Sequence, residues 1–154
     1  MRFVFPAFEL PAHGVVVVFN GNGATWAGSV GDAKAAPKKP DEKFGGAFLF
    51  TMRQSSQRVA LGNASDAVIL SGPDGVVVQR VRWGKAADGT VDTKIALDET
   101  APVVSKGSVT RTGTGKDAAW RAHTDVDLKP FSPGVQVDGE PAPKPPAEDA
   151  KSVP

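Results

Sequence analysis

Apolar residues along this chain come in short runs punctuated by Gly, Pro, Asn and Asp. Runs of that length, without a sustained helical period, predict strands and tight turns. Strand patterns fall at residues 2–5, 14–19, 47–50, 58–61, 93–97, 108–111 and 118–123, with the clearest pair inside "GNASDAVILSGPDGVVVQRVRWG", residues 62–84. There Pro73 presets the backbone for a turn, Asp74 tolerates the next position, and Gly75 can adopt the left-handed conformation that closes a hairpin. In the returning strand Val77, Val81 and Trp83 share one face and Val78, Arg80 and Arg82 the other, because side chains alternate across a strand. The pattern predicts a half-buried strand, its apolar face on the core and its arginines reaching water.

Many short strands with turn signals between them predict an all-β fold, an immunoglobulin-like antiparallel β-sandwich, with Val77, Val81, Trp83 and Trp120 facing the core. Residues 31–43, "GDAKAAPKKPDEK", carry no large apolar side chain and read as a charged surface loop or insertion within a domain spanning 1–138. Residues 139–154, "GEPAPKPPAEDAKSVP", cannot bury enough apolar surface to offset their ordering entropy and read as a disordered tail or linker.

Composition narrows the function classes. The chain has 154 residues, room for one domain with tails. With 18 Lys and Arg against 17 Asp and Glu, the net charge of +1 gives no reason to expect nucleic acid as a partner. The absence of cysteine removes disulfides, thiolate nucleophiles and cysteine-based metal sites. No apolar run approaches the roughly 20 residues of a transmembrane helix, and the first residues lack a signal peptide's sustained apolar segment.

Several short motifs invite chemistry. "TGTGKD", residues 112–117, lacks the first Gly and the final Ser or Thr of a phosphate-binding loop and reads as a turn between strands. "NGNG", residues 20–23, is a fragment of a dinucleotide fingerprint with Trp26 where the third Gly would stand. His123, Asp125 and Asp127 share one side of an extended segment, as a His–carboxylate pair would, but supply too few ligands for zinc or calcium. No nucleophile-elbow motif supports a serine triad. No catalytic residue, metal or cofactor is therefore expected. The candidate ligand or anion contacts are Trp26, a loop aromatic suited to stacking on a sugar, and Arg80, Arg82, Arg111 and Arg121, which would form a basic patch if their strands were neighbours.

Three blocks in order resemble the lamin-tail domain: "FELPAHGVVVVFNG" (residues 8–21), "VALGNASDAVILSGPDGVVVQRVRWG" (59–84) and "KGSVTRTGTGKDAAWRAHTDVDLKPFSPGVQVDG" (106–139). The first is similar to that family's Leu-Pro approach to an apolar strand, the second to its hairpin closed by an aromatic and Gly, and the third to its Ser-Pro-Gly exit in bacterial members. The resemblance implies an immunoglobulin-like recognition or scaffolding module of a bacterial cell-envelope or secreted protein, binding a protein or cell-surface partner. It supplies no catalytic residues; Gly75, Trp83, Gly84, Trp120, Pro133 and Gly134 carry over as structural positions. The alternatives are an accessory domain of an exported hydrolase or nuclease, and a carbohydrate-binding module. The family's acidic first strand has no counterpart before residue 14, so the chain is expected to begin inside the domain or to be a divergent open form. A missing strand would leave an unpaired edge and favour an edge-strand dimer.

Overall fold

The structure, a computed structural model, describes residues 3–20, 29–52, 61–113, 117–127 and 129–134. Among them there are eight strands and a few short 3-10 turns, with no α-helix. The protein is all-β. The strands fall into two compact units, one made of residues 1–60 and 132–154 and the other of 61–131.

In the first unit, β1 (Val16–Phe19) and β2 (Val30–Gly31) flank β3 (Phe48–Thr51), and both pairings are parallel. Leu49 and Phe50 are fully buried, although adjacent residues of a strand point to opposite faces. β3 is thus covered on both sides, as parallel strands are. Phe48 and Phe50 share the face on which Phe3, Phe5 and Phe8 lie edge-on, with Phe5 and Phe8 centroids 5.1 and 5.3 Å from that of Phe50. Residues 2–5 had the pattern of a strand, yet the described ones, 3–5, form no ladder. Pro6 removes a backbone donor and the segment contributes rings instead of hydrogen bonds.

Within the 31–43 segment Gly31 belongs to β2, Pro37 is buried, and the residues leading to a 3-10 turn carry an internal scaffold. The Asp32 carboxylate accepts the Lys34 and Ala35 amides at 2.7 and 3.0 Å, and Ser29 Oγ accepts the Lys38 amide at 2.6 Å. Asp41 then caps the 3-10 turn Glu42–Phe44 by accepting the Lys43 amide.

The second unit holds the predicted hairpin. β4 (Asp66–Ser71) and β5 (Val77–Trp83) are antiparallel, with Val68 opposite Val81 and a shift in register between Leu70 and Ser71. Gly75, at φ 81°, closes the turn in the left-handed region anticipated for it. β6 (Leu97–Thr100) lies along the other side of β5 in parallel. β7 (Val109–Thr112) and β8 (Ala119–Ala122) form a second antiparallel hairpin. The sheets are therefore small and mixed, where an antiparallel sandwich was expected. Periodicity specifies that a segment is a strand but not the direction of its neighbour, and β1–β3, β2–β3 and β5–β6 are each joined through long connections that permit parallel pairing. The strand pattern at 93–97 is displaced to Leu97–Thr100, and residues 58–60 lie outside the described residues.

Candidate interaction surface

β6 decides where the arginines go. Asp98 and Glu99 are consecutive in a strand, so one carboxylate projects from each face of the β4–β5–β6 sheet. The register sets Asp98 beside Arg80 and Glu99 beside Val81. On the first face Arg80 grips Asp98 with two nearly parallel bonds, Nε to Oδ1 at 2.9 Å and Nη2 to Oδ2 at 2.6 Å. Arg82 adds Nε to the same Oδ1 at 3.2 Å. Its Nη1 donates to the carbonyls of Gly89 and Ala86 at 3.1 and 3.4 Å, and the Asp92 amide completes the cluster by donating to Asp98 Oδ2 at 2.7 Å. Forked guanidinium–carboxylate pairs of this kind combine charge with fixed geometry.

The arginine face expected to be solvated is consequently largely covered. Arg82 is buried at 5% exposure and the Arg80 side chain retains 24%. Alternation alone identifies two faces without showing that a distant acidic strand will cover the polar one. The Arg80 hydrogen bonds, followed by the Asp92 amide, hold the Asp98 carboxyl far below its usual range, and Arg80 is raised in turn by Asp98.

The opposite face carries a second cluster. Glu99 Oε1 accepts from Arg111 Nε at 2.8 Å, while Oε2 accepts from Trp120 Nε1 at 3.0 Å and Gln79 Nε2 at 3.1 Å. Burial pushes the Glu99 carboxyl up, but the bonds from Trp120, Arg111 and Gln79 outweigh it and leave the group lowered. Arg111 and Trp120 are register partners across the β7–β8 hairpin, which this cluster ties to the sheet. Val81 is buried beneath it, and Val77, Trp83 and Trp120 are half-buried. The Trp83 indole donates to the Gly62 carbonyl at 2.7 Å.

The candidate patch is therefore divided: Arg80 and Arg82 converge on Asp98, and Arg111 serves Glu99 on the other face. Arg121 follows Trp120 in β8, projects away from Glu99, and is exposed. Trp26 lies outside the described residues. His123 is buried, with Nδ1 2.8 Å from the Lys129 carbonyl, and residues 123–125 form a 3-10 turn instead of the extended segment expected. Among the described residues no group of three or more His, Asp or Glu is placed to hold a metal ion. No described helix is long and apolar enough to cross a membrane. Asp98 and Glu99 were missed as partners of the arginines because two acids after an apolar run read as the end of a strand. The signal present was their count: two carboxylates near a strand that alternates arginines.

With Arg80, Arg82 and Arg111 committed to carboxylates, the prominent free surface of the β4–β5–β6 sheet is apolar. Val68, Ile69 and Leu70 of β4 are 46, 55 and 49% exposed, and Val76, Val78 and Leu97 are exposed as well. Among the described residues β4 is an edge strand, in the order β4–β5–β6. Its uninterrupted Ala-Val-Ile-Leu run is the composition of a strand covered on both faces.

No family model, curated protein or solved structure matches the chain.

Proposed function

We propose that the chain is a non-catalytic interaction or anchoring module of a bacterial cell-envelope or secreted protein, a divergent lamin-tail-like domain of immunoglobulin-like ancestry. The observation that carries this reading is the exposed apolar β4–β5 hairpin, on a sheet whose polar clusters are internally satisfied. Val68 and Leu70 lie on one face and Ile69 and Val78 on the other, so the hairpin is apolar around its outer edge, and exposed apolar surface of this kind is a mark of interaction sites. The second and third blocks of the family resemblance coincide with the β4–β5 and β7–β8 hairpins, so the reading rests on the second unit. Ion pairs on both faces of the sheet give the hairpin a braced platform, and recognition surfaces are commonly carried on such scaffolds.

The test is a photo-crosslinking amino acid at Val78, in the β4–β5 hairpin, within cells that make the protein. A discrete adduct is expected from position 78 and not from exposed Val91. A lack of any position-specific adduct, or turnover of hydrolase or nuclease substrates by the purified chain, would overturn the reading.

A further inference from the structure

The backbone of β4 specifies what can sit beside it. The Arg82 carbonyl accepts the Ala101 amide at 2.8 Å, so the polar groups of Arg82 turn toward β6 and away from β4. Ala67, opposite Arg82, therefore forms a pair without ladder bonds, and by the alternation of an antiparallel ladder Ile69, opposite Arg80, does so too. Their backbone groups face the outer edge of β4. The Ala67 amide is taken by the Asp66 carboxylate at 2.8 Å. The Ile69 N–H, the Ile69 carbonyl and the Ala67 carbonyl remain, and among the described residues no strand pairs with that edge.

We infer that the edge is self-complementary and that its occupant is β4 of a second copy of this chain, paired antiparallel about a two-fold axis at Ile69. This rests on reading the hairpin as an interaction surface. A two-fold axis perpendicular to the sheet requires that a residue pair with one of its own parity, which holds when Ile69 lies opposite itself. Each Ile69 N–H then donates to the other Ile69 carbonyl, and Val68 falls opposite Leu70 of the other copy on the shared face. Charge is compatible with this pairing. Residues 67–71 carry none, so two identical edges meet without repulsion, and the lysine or proline that commonly protects an edge strand is absent. The register shift after Leu70 ends the flat stretch and confines pairing to the centre of the strand. A six-residue strand is small beside the roughly 20–30 residues a side of a standard interface. The association is therefore weak, reversible and visible at protein concentrations on the order of 100 µM.

Sedimentation equilibrium of the full chain over a concentration series should show a monomer–dimer equilibrium. Ile69→Lys should abolish the dimer, since two like charges would stand directly opposite, and so should Ile69→Glu. Mixing the two variants should restore a dimer, an outcome peculiar to Ile69 facing itself. The cysteine-free chain permits a second measurement that retains an uncharged side chain. Ile69→Cys should crosslink on mild oxidation, because the Cα separation of a hydrogen-bonded pair, about 5.5 Å, is within disulfide reach, whereas Val91→Cys should not. A strictly monomeric wild-type chain, a dimer untouched by Ile69→Lys, or failure of the mixed variants to associate would each overturn the pairing. A position-specific Val78 adduct with a different protein would still leave the interaction-module reading standing.

Discussion

Replacing Phe50 with alanine removes the centre of the first unit's core. The ring is fully buried, and three others lie edge-on to it with centroids 6.1, 5.1 and 5.3 Å away. Loss of a buried phenylalanine costs about 3–5 kcal/mol, including the cavity left behind. Each lost edge-to-face pair contributes roughly 0.5–1.5 kcal/mol beyond area burial. Opposing this, Phe3, Phe5 and Phe8 belong to a segment without strand ladders and can settle into the space. The net should sit near the lower end, about 3 kcal/mol, which corresponds to a melting temperature lowered by about 6–12 °C in a chain of this size. Phe5, at 39% exposure, buries less and its alanine variant should cost less than half as much. Thermal unfolding followed by circular dichroism measures both. A Phe50→Ala loss below about 1 kcal/mol, or a greater loss for Phe5→Ala, would refute the assignment of Phe50 as the central packing residue.

Trp120→Phe keeps the aromatic body and removes the N–H donor to Glu99; hydrogen bonds to charged groups contribute about 1.5–3 kcal/mol, and the loss should fall toward the lower value because Arg111 and Gln79 stay in place. Chemical denaturation should show it, while a change indistinguishable from zero would mean the indole bond contributes nothing. Acid should destabilise the fold: Asp98 and Glu99 have lowered folded-state values, so their contribution is complete at neutral pH and is lost progressively as pH falls below about 4. Replacing Asp98 with Asn should flatten the acid limb of a stability–pH curve, and an unchanged limb would exclude Asp98 as a source. Gly84→Ala should destabilise by more than about 1 kcal/mol, because φ is 59° and an added Cβ would collide with the Ala64 carbonyl; a neutral melting curve would show that the loop relaxes freely.

The β4–β5 hairpin was legible because its turn chemistry and alternation agree, and Gly75 adopts the conformation that the turn requires. β7 and β8 were legible for the same local reasons, with Gly113 at φ 76° following β7. Direction was not. Parallel pairing of β5 with β6 joins residues separated by the long 84–96 connection, and no local signal encodes that choice. The fate of the arginines was equally opaque, since an Arg-x-Arg strand reads alike whether water or Asp98 lies beside it. For residues 2–5 the apolar pattern was read as pairing potential, while the structure uses its phenylalanines for packing alone.

The Asp98–Glu99 dipeptide acts as a gauge for strand position. Sliding β6 by one residue exchanges its faces. A slip in one direction would put Leu97 in the place of Asp98, with Asp98 opposite Val81 and Glu99 opposite Arg82; the other would put Glu99 opposite Arg80 and Thr100 where Glu99 meets Arg111 and Trp120. Either slip leaves a carboxylate beside the arginine pair, but it is the longer glutamate, whose oxygens do not stand where Arg80 and Arg82 fork onto Asp98. Changes in the length of the 84–96 connection that displace β6 by one residue therefore exchange the two carboxylates between the faces of the sheet.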